Sequence, residues 1–265
     1  MLTIQILTGL GIVVVLGLLV TVIWYGTRVQ SLQINSIEVV GGYTIPHSEI
    51  ETKVQERLIG TYFKLIPKSF RATYPKNAIL ENIYSIARVK NVAIEVLDTQ
   101  KIVIVFEEYR PHALWCEFQD SPECLFLDDS GYAFSQAPIL TGSAFIRYVD
   151  EDTLPEIKTQ GFAPDFIHQT QEFSDLLATQ LDLYVTHVEK VQDLDILYTV
   201  SGGGVLKVSQ SMTPETSFKN LRSILSSENF IHLQNGAFQY IDLRFGDKIF
   251  LNEEKQRVNT ATTTE

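Results

Sequence analysis

The amino-acid sequence predicts an α+β protein with an N-terminal transmembrane helix, a β-α-α-β-β domain, and then a β-rich domain with two helices. Three observations lead to this prediction. The run Ile4–Tyr25 carries no charged residue. Residues 36–113 read as strand, two helices and two strands. After Pro111 the pattern changes to short strands with turn residues between them.

The first predicted element is a membrane anchor over Ile4–Tyr25. A helix rises about 1.5 Å per residue, so this run reaches roughly 33 Å, enough for a hydrocarbon core of about 30 Å. Trp24 and Tyr25 at its end are typical of a membrane–water interface. The alternative is a cleaved signal peptide, but no small-x-small cleavage site follows in residues 26–30. We expect a retained single-pass anchor with residues 1–3 as a short cytoplasmic N-terminus.

A linker over residues 26–35 should lead into the β-α-α-β-β domain at 36–113. Apolar residues at every fourth position from Ile50 to Leu58 predict one helix, and Pro75 opens a second. Thr61–Tyr74 between them reads as a loop. The predicted strands are Ile37–Val40, Val89–Leu97 and Ile102–Phe106, which would form a sheet covered on one face by the two helices.

The β-rich domain is expected at 114–252, followed by a disordered tail at 253–265. Its two helices are predicted from the apolar face of Asp165–Leu181 and from the cap Thr213-Pro214. The predicted strands are Leu125–Leu127, Tyr132–Phe134, Val185–Val191, Ile196–Val200, Val205–Val208, Phe238–Phe245 and Lys248–Leu251.

Charge is distributed unevenly along the chain. The net charge is -11, composed of +2 from Arg28 to Arg110 and -13 from Pro111 onward. The basic excess lies in Lys53–Lys90, which is either a solvated helix face and loop or a surface for anionic lipid or an acidic partner. The acidic chain carries no motif that indicates nucleic-acid binding.

The two cysteines, Cys116 and Cys124, are spaced like residues on the two arms of a short hairpin. Residues 119–122 between them supply turn-forming side chains. Two interpretations remain open at this point. The pair forms a disulfide, which requires an oxidising compartment, or it provides two free buried thiols.

The chain shows no GxSxG, HExxH, Walker A or GxGxxG motif. Gly202-Gly203-Gly204 is interpreted as a hairpin turn, and Asp128-Asp129 as turn formers. Cys124 with His187 and an arginine could in principle act as in a membrane-anchored transpeptidase, but the Thr-x-Thr-Cys context of such enzymes is missing. We expect no catalytic residue, no cofactor site and no metal site. The histidines are scattered singly, at His47, His112, His168, His187 and His232.

The last two predicted strands contain the candidate binding residues. Alternation places Ile241, Leu243 and Phe245 toward the core, and it favours a cross-strand ion pair for Arg244. If Lys248–Leu251 lies at a sheet edge, its unpaired N–H and C=O groups can accept a partner strand. Its shortness and flanking charges are also the usual protection of an edge, so both interpretations stand.

In these features the chain resembles the bacterial cell-division family FtsQ/DivIB over nearly all residues after Tyr25. The resemblance rests on five short motifs in the same order. They are Ile37-Glu38-Val39-Val40-Gly41, Val89-Lys90-Asn91-Val92 with Glu95-Val96, Glu108-Tyr109-Arg110-Pro111-His112-Ala113, Leu127-Asp128-Asp129-Ser130-Gly131-Tyr132-Ala133-Phe134, and Ile241-Asp242-Leu243-Arg244-Phe245. Tyr109 stands where the family motif has Arg.

The resemblance implies a POTRA domain at 36–113 followed by a β-domain at 114–252, both outside the cytoplasmic membrane at the division septum. It implies a non-enzymatic scaffold of the divisome that binds FtsB and FtsL by strand addition to the β-domain edge. The implied contacts are Phe245, Gly246, Asp247, Lys248, Ile249 and Phe250.

Two alternatives remain. A POTRA-bearing secretion or envelope-assembly factor would need a β-barrel for which little chain remains, and an anchored cell-wall hydrolase or transpeptidase would need the missing motifs. The positive-inside rule, through Arg28, argues weakly for a cytoplasmic C-terminus, whereas the resemblance and the cysteines favour the opposite side.

Overall fold

The structure, a computed structural model, describes residues 2–97, 100–140, 142–191, 195–246 and 248–253, with side chains from residue 5 onward. Met1 and residues 254–265 lie outside this range, so the expected tail is described only at Glu253. The chain divides into two compact units, one ending at Tyr109 and the other beginning at Arg110.

Helix α1 spans Leu2–Gly26. Its segment Gln5–Gly26 has a mean hydropathy of 2.8, and no part of the most apolar window is buried inside the protein. By length and composition it can cross a membrane. The predicted apolar N-terminal helix is therefore confirmed.

The rest of the first unit contains a three-stranded sheet in the order β1-β5-β4. Strand β1 is parallel to β5, and β4 is antiparallel to it. Ile50 and Ile79, from the two helices, are fully buried in one core with Ile104 of the sheet. The elements are β1 (Ser36–Gly41), α2 (His47–Leu58), β2 (Thr61–Tyr62), β3 (Ile66–Pro67), α3 (Lys76–Tyr84), β4 (Val89–Val96) and β5 (Lys101–Glu108).

Two parts of this unit differ from the sequence-based expectation. The predicted loop Thr61–Tyr74 contains a two-stranded ribbon of β2 and β3. The predicted linker 26–35 contains a 3-10 turn at Gln30–Leu32 and hydrogen-bonds to other parts of the unit. The ribbon depends on a turn with few sequence signals. The hydrogen bonds of the linker join it to segments more than thirty residues away, which local patterns do not reveal.

The second unit contains a ten-stranded sheet in the order β10-β8-β7-β6-β9-β11-β12-β13-β14-β15. Its neighbours are antiparallel except for the parallel pairs β6–β9, β9–β11 and β13–β14. The elements are β6 (Ala113–Cys116), β7 (Cys124–Leu127), β8 (Tyr132–Gln136), β9 (Arg147–Asp150), β10 (Thr159–Gln160), α4 (Pro164–Leu181), β11 (Val185–Val191), β12 (Asp195–Val200), β13 (Val205–Ser209), α5 (Pro214–Leu225), β14 (Tyr240–Phe245) and β15 (Lys248–Asn252).

Both predicted helices of this unit pack on the sheet through their apolar faces. Phe173 of α4 meets Tyr198 of β12 edge to face, with ring centroids 4.8 Å apart. Phe218 and Leu221 of α5 belong to the same core cluster. Strands β9 and β10 were not expected from the sequence, whereas β6 is the Cys116 arm of the expected hairpin. Ala113 opens β6, so the expected range 36–113 runs into the second unit.

Cys116 and Cys124 face each other across the β6–β7 hairpin and form a disulfide. Their Cα atoms are 4.4 Å apart, and both side chains are buried. Arg147 donates a hydrogen bond to the carbonyl of Ser121 in the connecting turn. The structure therefore agrees with the disulfide interpretation of the hairpin, because it places the two cysteines at disulfide distance.

Candidate partner-binding edge strand

Strand β15 is the last strand of the ten-stranded sheet. Among the described strands it pairs with β14 alone, in antiparallel register from Tyr240↔Asn252 to Phe245↔Lys248. The Asn252 carbonyl accepts a hydrogen bond from the Gln239 N–H at 2.9 Å. Because alternate residues of a strand direct their backbone groups to the same side, Ile249 and Leu251 direct theirs to the open edge.

The side chains hold β15 in place by one face. Ile249 and Leu251 pack against the core of the second unit. Phe250 is 52% exposed, and Lys248 is also exposed. The strand is therefore anchored by apolar side chains while its edge and its other face remain accessible.

Phe245 and Phe250 form an exposed aromatic pair beside this edge. Their ring centroids are 5.5 Å apart and the rings are nearly perpendicular. Phe245 is 53% exposed, and the Arg244 guanidinium lies 5.4 Å from the centroid of its ring. Edge-to-face contact stabilises the pair while leaving both rings open to a partner.

The expectation that Phe245 faces the core is wrong. Ile241 and Leu243 are fully buried as expected, but the register shifts between Asp242 and Phe245. This bulge places one more residue on β14 than on β15, so the side chains beyond it change face. Local alternation in the sequence does not reveal a bulge.

Arg244 forms the expected structural ion pair. Its Nε and Nη2 donate to the two carboxylate oxygens of Asp242 at 2.9 and 2.6 Å, and its Nη1 donates to Asp195 of β12. Burial alone would raise the pKa of Asp242, but the Arg244 hydrogen bonds outweigh burial and the net pKa is lowered. Hydrogen bonds to Asp242, the largest effect, raise the pKa of Arg244. These bonds hold the Arg244 guanidinium beside the ring of Phe245.

The turn into β15 is fixed by helix α5. Thr213 caps this helix by accepting a hydrogen bond from the Thr216 N–H. One turn further along, the Asn220 amide donates to the Gly246 carbonyl at 2.8 Å. Gly246 has φ of +67°, a conformation that glycine adopts without strain. No pattern in the sequence predicts this contact of Asn220 with Gly246.

Of the six residues expected to contact a partner, five are described. The structure brings Phe245, Gly246, Lys248, Ile249 and Phe250 together at the sheet edge. Asp247 lies outside the described residues. Ile249 contributes its backbone to the open edge, because its side chain packs inward.

The other chemistry-bearing residues have structural partners. Asp128 accepts hydrogen bonds from Ser130 and Tyr132, as expected of a turn former. His187 contacts the Gln119 carbonyl, and burial lowers its pKa. Cys124 is bonded to Cys116. Within the described ranges, no group of three or more His, Cys, Asp or Glu side chains is placed to hold a metal ion.

No family model and no curated protein matches the chain.

Proposed function

We propose that this protein is a single-pass, non-enzymatic scaffold of the bacterial divisome that binds small membrane partners of the FtsB/FtsL kind. In this proposal the first unit is a POTRA domain and the second is the β-domain. The observation that carries it is the edge of β15, where backbone groups of Ile249 and Leu251 lie beside the exposed rings of Phe245 and Phe250. A partner strand would form hydrogen bonds with the backbone groups of β15 and pack against the two exposed rings.

Two further features support the proposal. The first unit places a small sheet and two helices directly after an apolar helix that is long enough to span a membrane, which supports a membrane-proximal domain. The Cys116–Cys124 disulfide favours an oxidising compartment, and therefore an extracytoplasmic second unit.

The test compares two exposed phenylalanines of the second unit. Phe250→Asp places a charge where the partner would pack, whereas Phe118→Asp changes a ring of similar exposure (53%) outside β14 and β15. We expect affinity capture from bacterial membranes to recover small single-pass division proteins with the wild type and with Phe118→Asp. Capture should fall at least tenfold with Phe250→Asp.

A photo-crosslinking residue at position 250, with position 118 as control, locates the contact directly. Crosslinks to the same small proteins from 250 and not from 118 support strand addition at β15. Undiminished capture by Phe250→Asp, together with crosslinks from neither position, would falsify the proposed binding site.

A further inference from the structure

The ribbon of β2 and β3 ends in an exposed and unusual turn. Its central residues are Phe63 and Lys64, both with positive φ (49° and 60°), and the Leu65 N–H closes the turn on the Tyr62 carbonyl. Turns with two positive φ angles ordinarily use Asn and Gly. Phe63 is 100% exposed. A large apolar ring in a strained position without packing indicates a role outside the folded unit.

This turn is attached to the end of α1. The Arg28 Nη1 donates to the Trp24 carbonyl at 3.1 Å and to the Leu65 carbonyl at 2.8 Å. The same guanidinium lies 4.2 Å from the centroid of the Trp24 ring. Arg28 therefore joins the aromatic end of the apolar helix to the strand that follows the turn.

Further hydrogen bonds hold the ribbon at that end of the helix. The Arg71 N–H donates to the Leu32 carbonyl, and the Ile34 N–H donates to the Ser69 carbonyl. Gln33 and Phe70 form a β-bridge between the same segments. The segment after α1 and the segment after the turn are thus paired to each other.

The distances place Phe63 within reach of the membrane–water interface. Consecutive Cα atoms are about 3.8 Å apart, so the Cα of Phe63 lies at most roughly 7.6 Å from that of Leu65. The interfacial region on each side of a bilayer is of order 5–8 Å thick. Trp24, whose ring packs on the arginine that binds Leu65, is the kind of residue that lies in this region.

Charge around the turn agrees with a lipid surface. Between Glu56 and Glu81 there is no acidic residue, while this interval carries five basic ones. They are Arg57, Lys64, Lys68, Arg71 and Lys76. Basic residues close to a bilayer are attracted to anionic headgroups.

We propose that the β2–β3 turn is a second membrane contact, with Phe63 in the lipid interface beside α1 and Lys64 among anionic headgroups. This rests on the membrane anchoring by α1 that belongs to the proposed function, but not on partner binding at β15. The occupant of the exposed turn is the bilayer itself.

The experiment uses the full-length chain reconstituted in vesicles. Both native cysteines are in the disulfide, so Phe63→Cys provides one thiol for an environment-sensitive fluorophore. The control is Tyr43→Cys, because Tyr43 is an aromatic residue with 80% exposure that follows the far end of β1. At about 3.3 Å per residue, the six residues of β1 separate the two ends of the strand by roughly 20 Å.

We expect the label at 63 to fluoresce severalfold more strongly than the label at 43, and to be quenched by lipid carrying a nitroxide near the headgroup. Quenching at position 63 should be stronger in vesicles that contain phosphatidylglycerol than in vesicles of phosphatidylcholine alone. Lys64→Gln should weaken the binding of the turn to the anionic vesicles by up to about fivefold, and this difference in quenching should shrink accordingly. Equal, unquenched emission at both positions would overturn the proposal.

Two other outcomes are informative. The label at position 63 could instead be shielded from water in native membranes and not in vesicles that contain this protein alone. That result would assign the turn to a partner protein and would also overturn the proposal. Flotation of the protein with the vesicles reports separately on anchoring by α1, so a failure of the anchor is distinguishable from a failure of the turn. Capture through β15 plays no part in either readout.

Discussion

The side-chain amide of Asn220 and the carbonyl of Gly246 are joined by a hydrogen bond of 2.8 Å. Asn220 lies on α5, and Gly246 lies in the turn that begins the edge strand β15. The helix therefore restrains the turn that precedes the strand, although Asn220 and Gly246 are 26 residues apart in sequence.

Asn220→Ala should loosen β15 without unfolding the second unit. Loss of one such hydrogen bond costs about 1 kcal/mol, which corresponds to roughly fivefold faster amide exchange if the strand opens locally. Hydrogen exchange of residues 248–252 measures this. The matched control is Lys219→Ala, an exposed neighbour on the same helix, which should leave exchange unchanged. Equal exchange in both variants would show that the contact does not restrain the strand.

Arg244→Ala should destabilise the second unit. Asp242 is 5% exposed and would keep its charge without the paired guanidinium. We expect a loss of about 2 kcal/mol in the free energy of unfolding, below the usual range for buried pairs because the Arg244 side chain is 27% exposed. Denaturant unfolding followed by Trp115 fluorescence in a Trp24→Phe background measures this.

The companion variant for this ion pair is Arg244→Ala with Asp242→Asn. Removing the buried charge should restore part of the lost stability, since the penalty comes mainly from the unpaired carboxylate. A double variant as unstable as the sum of the two single variants would contradict the coupling.

Replacing both Cys116 and Cys124 with Ser should lower the free energy of unfolding of the second unit. The disulfide closes a loop with a sequence separation of 8, and loop closure of that length is worth about 2.5 kcal/mol. The same Trp115 fluorescence assay reports the change, and reduced wild type should match the Ser variant. If reduction leaves the unfolding midpoint unchanged, the bond contributes no stability.

Glu108 should make the first unit sensitive to acid. Its carboxylate accepts hydrogen bonds from the N–H groups of Tyr43, Thr44 and Ile45 and from the Thr44 hydroxyl. Burial alone would raise the pKa of Glu108, but these bonds outweigh it and lower the pKa to about 2. The unfolded chain has the ordinary value of 4.5, so the stabilisation is complete above that pH and is lost as the pH falls toward 2.

Glu108→Gln should remove most of this pH dependence. We expect the amides of residues 43–45 to exchange faster at neutral pH in the variant, by up to about tenfold for a partly exposed charged hydrogen-bond acceptor. Hydrogen exchange between pH 7 and the acid range measures the effect. Glu107→Gln removes the same charge one residue earlier and should leave exchange of residues 43–45 as in the wild type.

The sequence predicted elements whose signals are local. Helix α4 was expected at Asp165–Leu181 and spans Pro164–Leu181, because its apolar residues recur with helical period. Strand β15 was expected to begin at Lys248 and does so, since Gly246 ends the strand before it. Local spacing also placed Cys116 and Cys124 on the two arms of a hairpin, while it left the disulfide and two free thiols as alternatives.

The features that shape the candidate site depend on how the strands pair with one another. The exposure of Phe245 arises from a bulge against β15, and the Asp195–Arg244 ion pair connects β12 with β14. The sequence around Phe245 does not reveal the bulge, and the sequence around Arg244 does not identify Asp195 as its partner. The β2–β3 turn lies inside the predicted loop Thr61–Tyr74, and its central residues Phe63 and Lys64 are not typical of a turn with positive φ.

The pairing of residues Gln33 and Ile34 with Ser69 and Phe70 has a mechanical consequence. Helix α1 has 25 residues and is about 37 Å long, so a bilayer with a core of about 30 Å favours a tilted helix. The segment after α1 also donates hydrogen bonds from Asn35 and Ser36 to the Gln100 carbonyl, next to β5. In the proposed membrane-anchored arrangement, a change of helix tilt would therefore be passed on to the sheet β1-β5-β4. Bilayer thickness would then influence the angle between this sheet and the membrane plane.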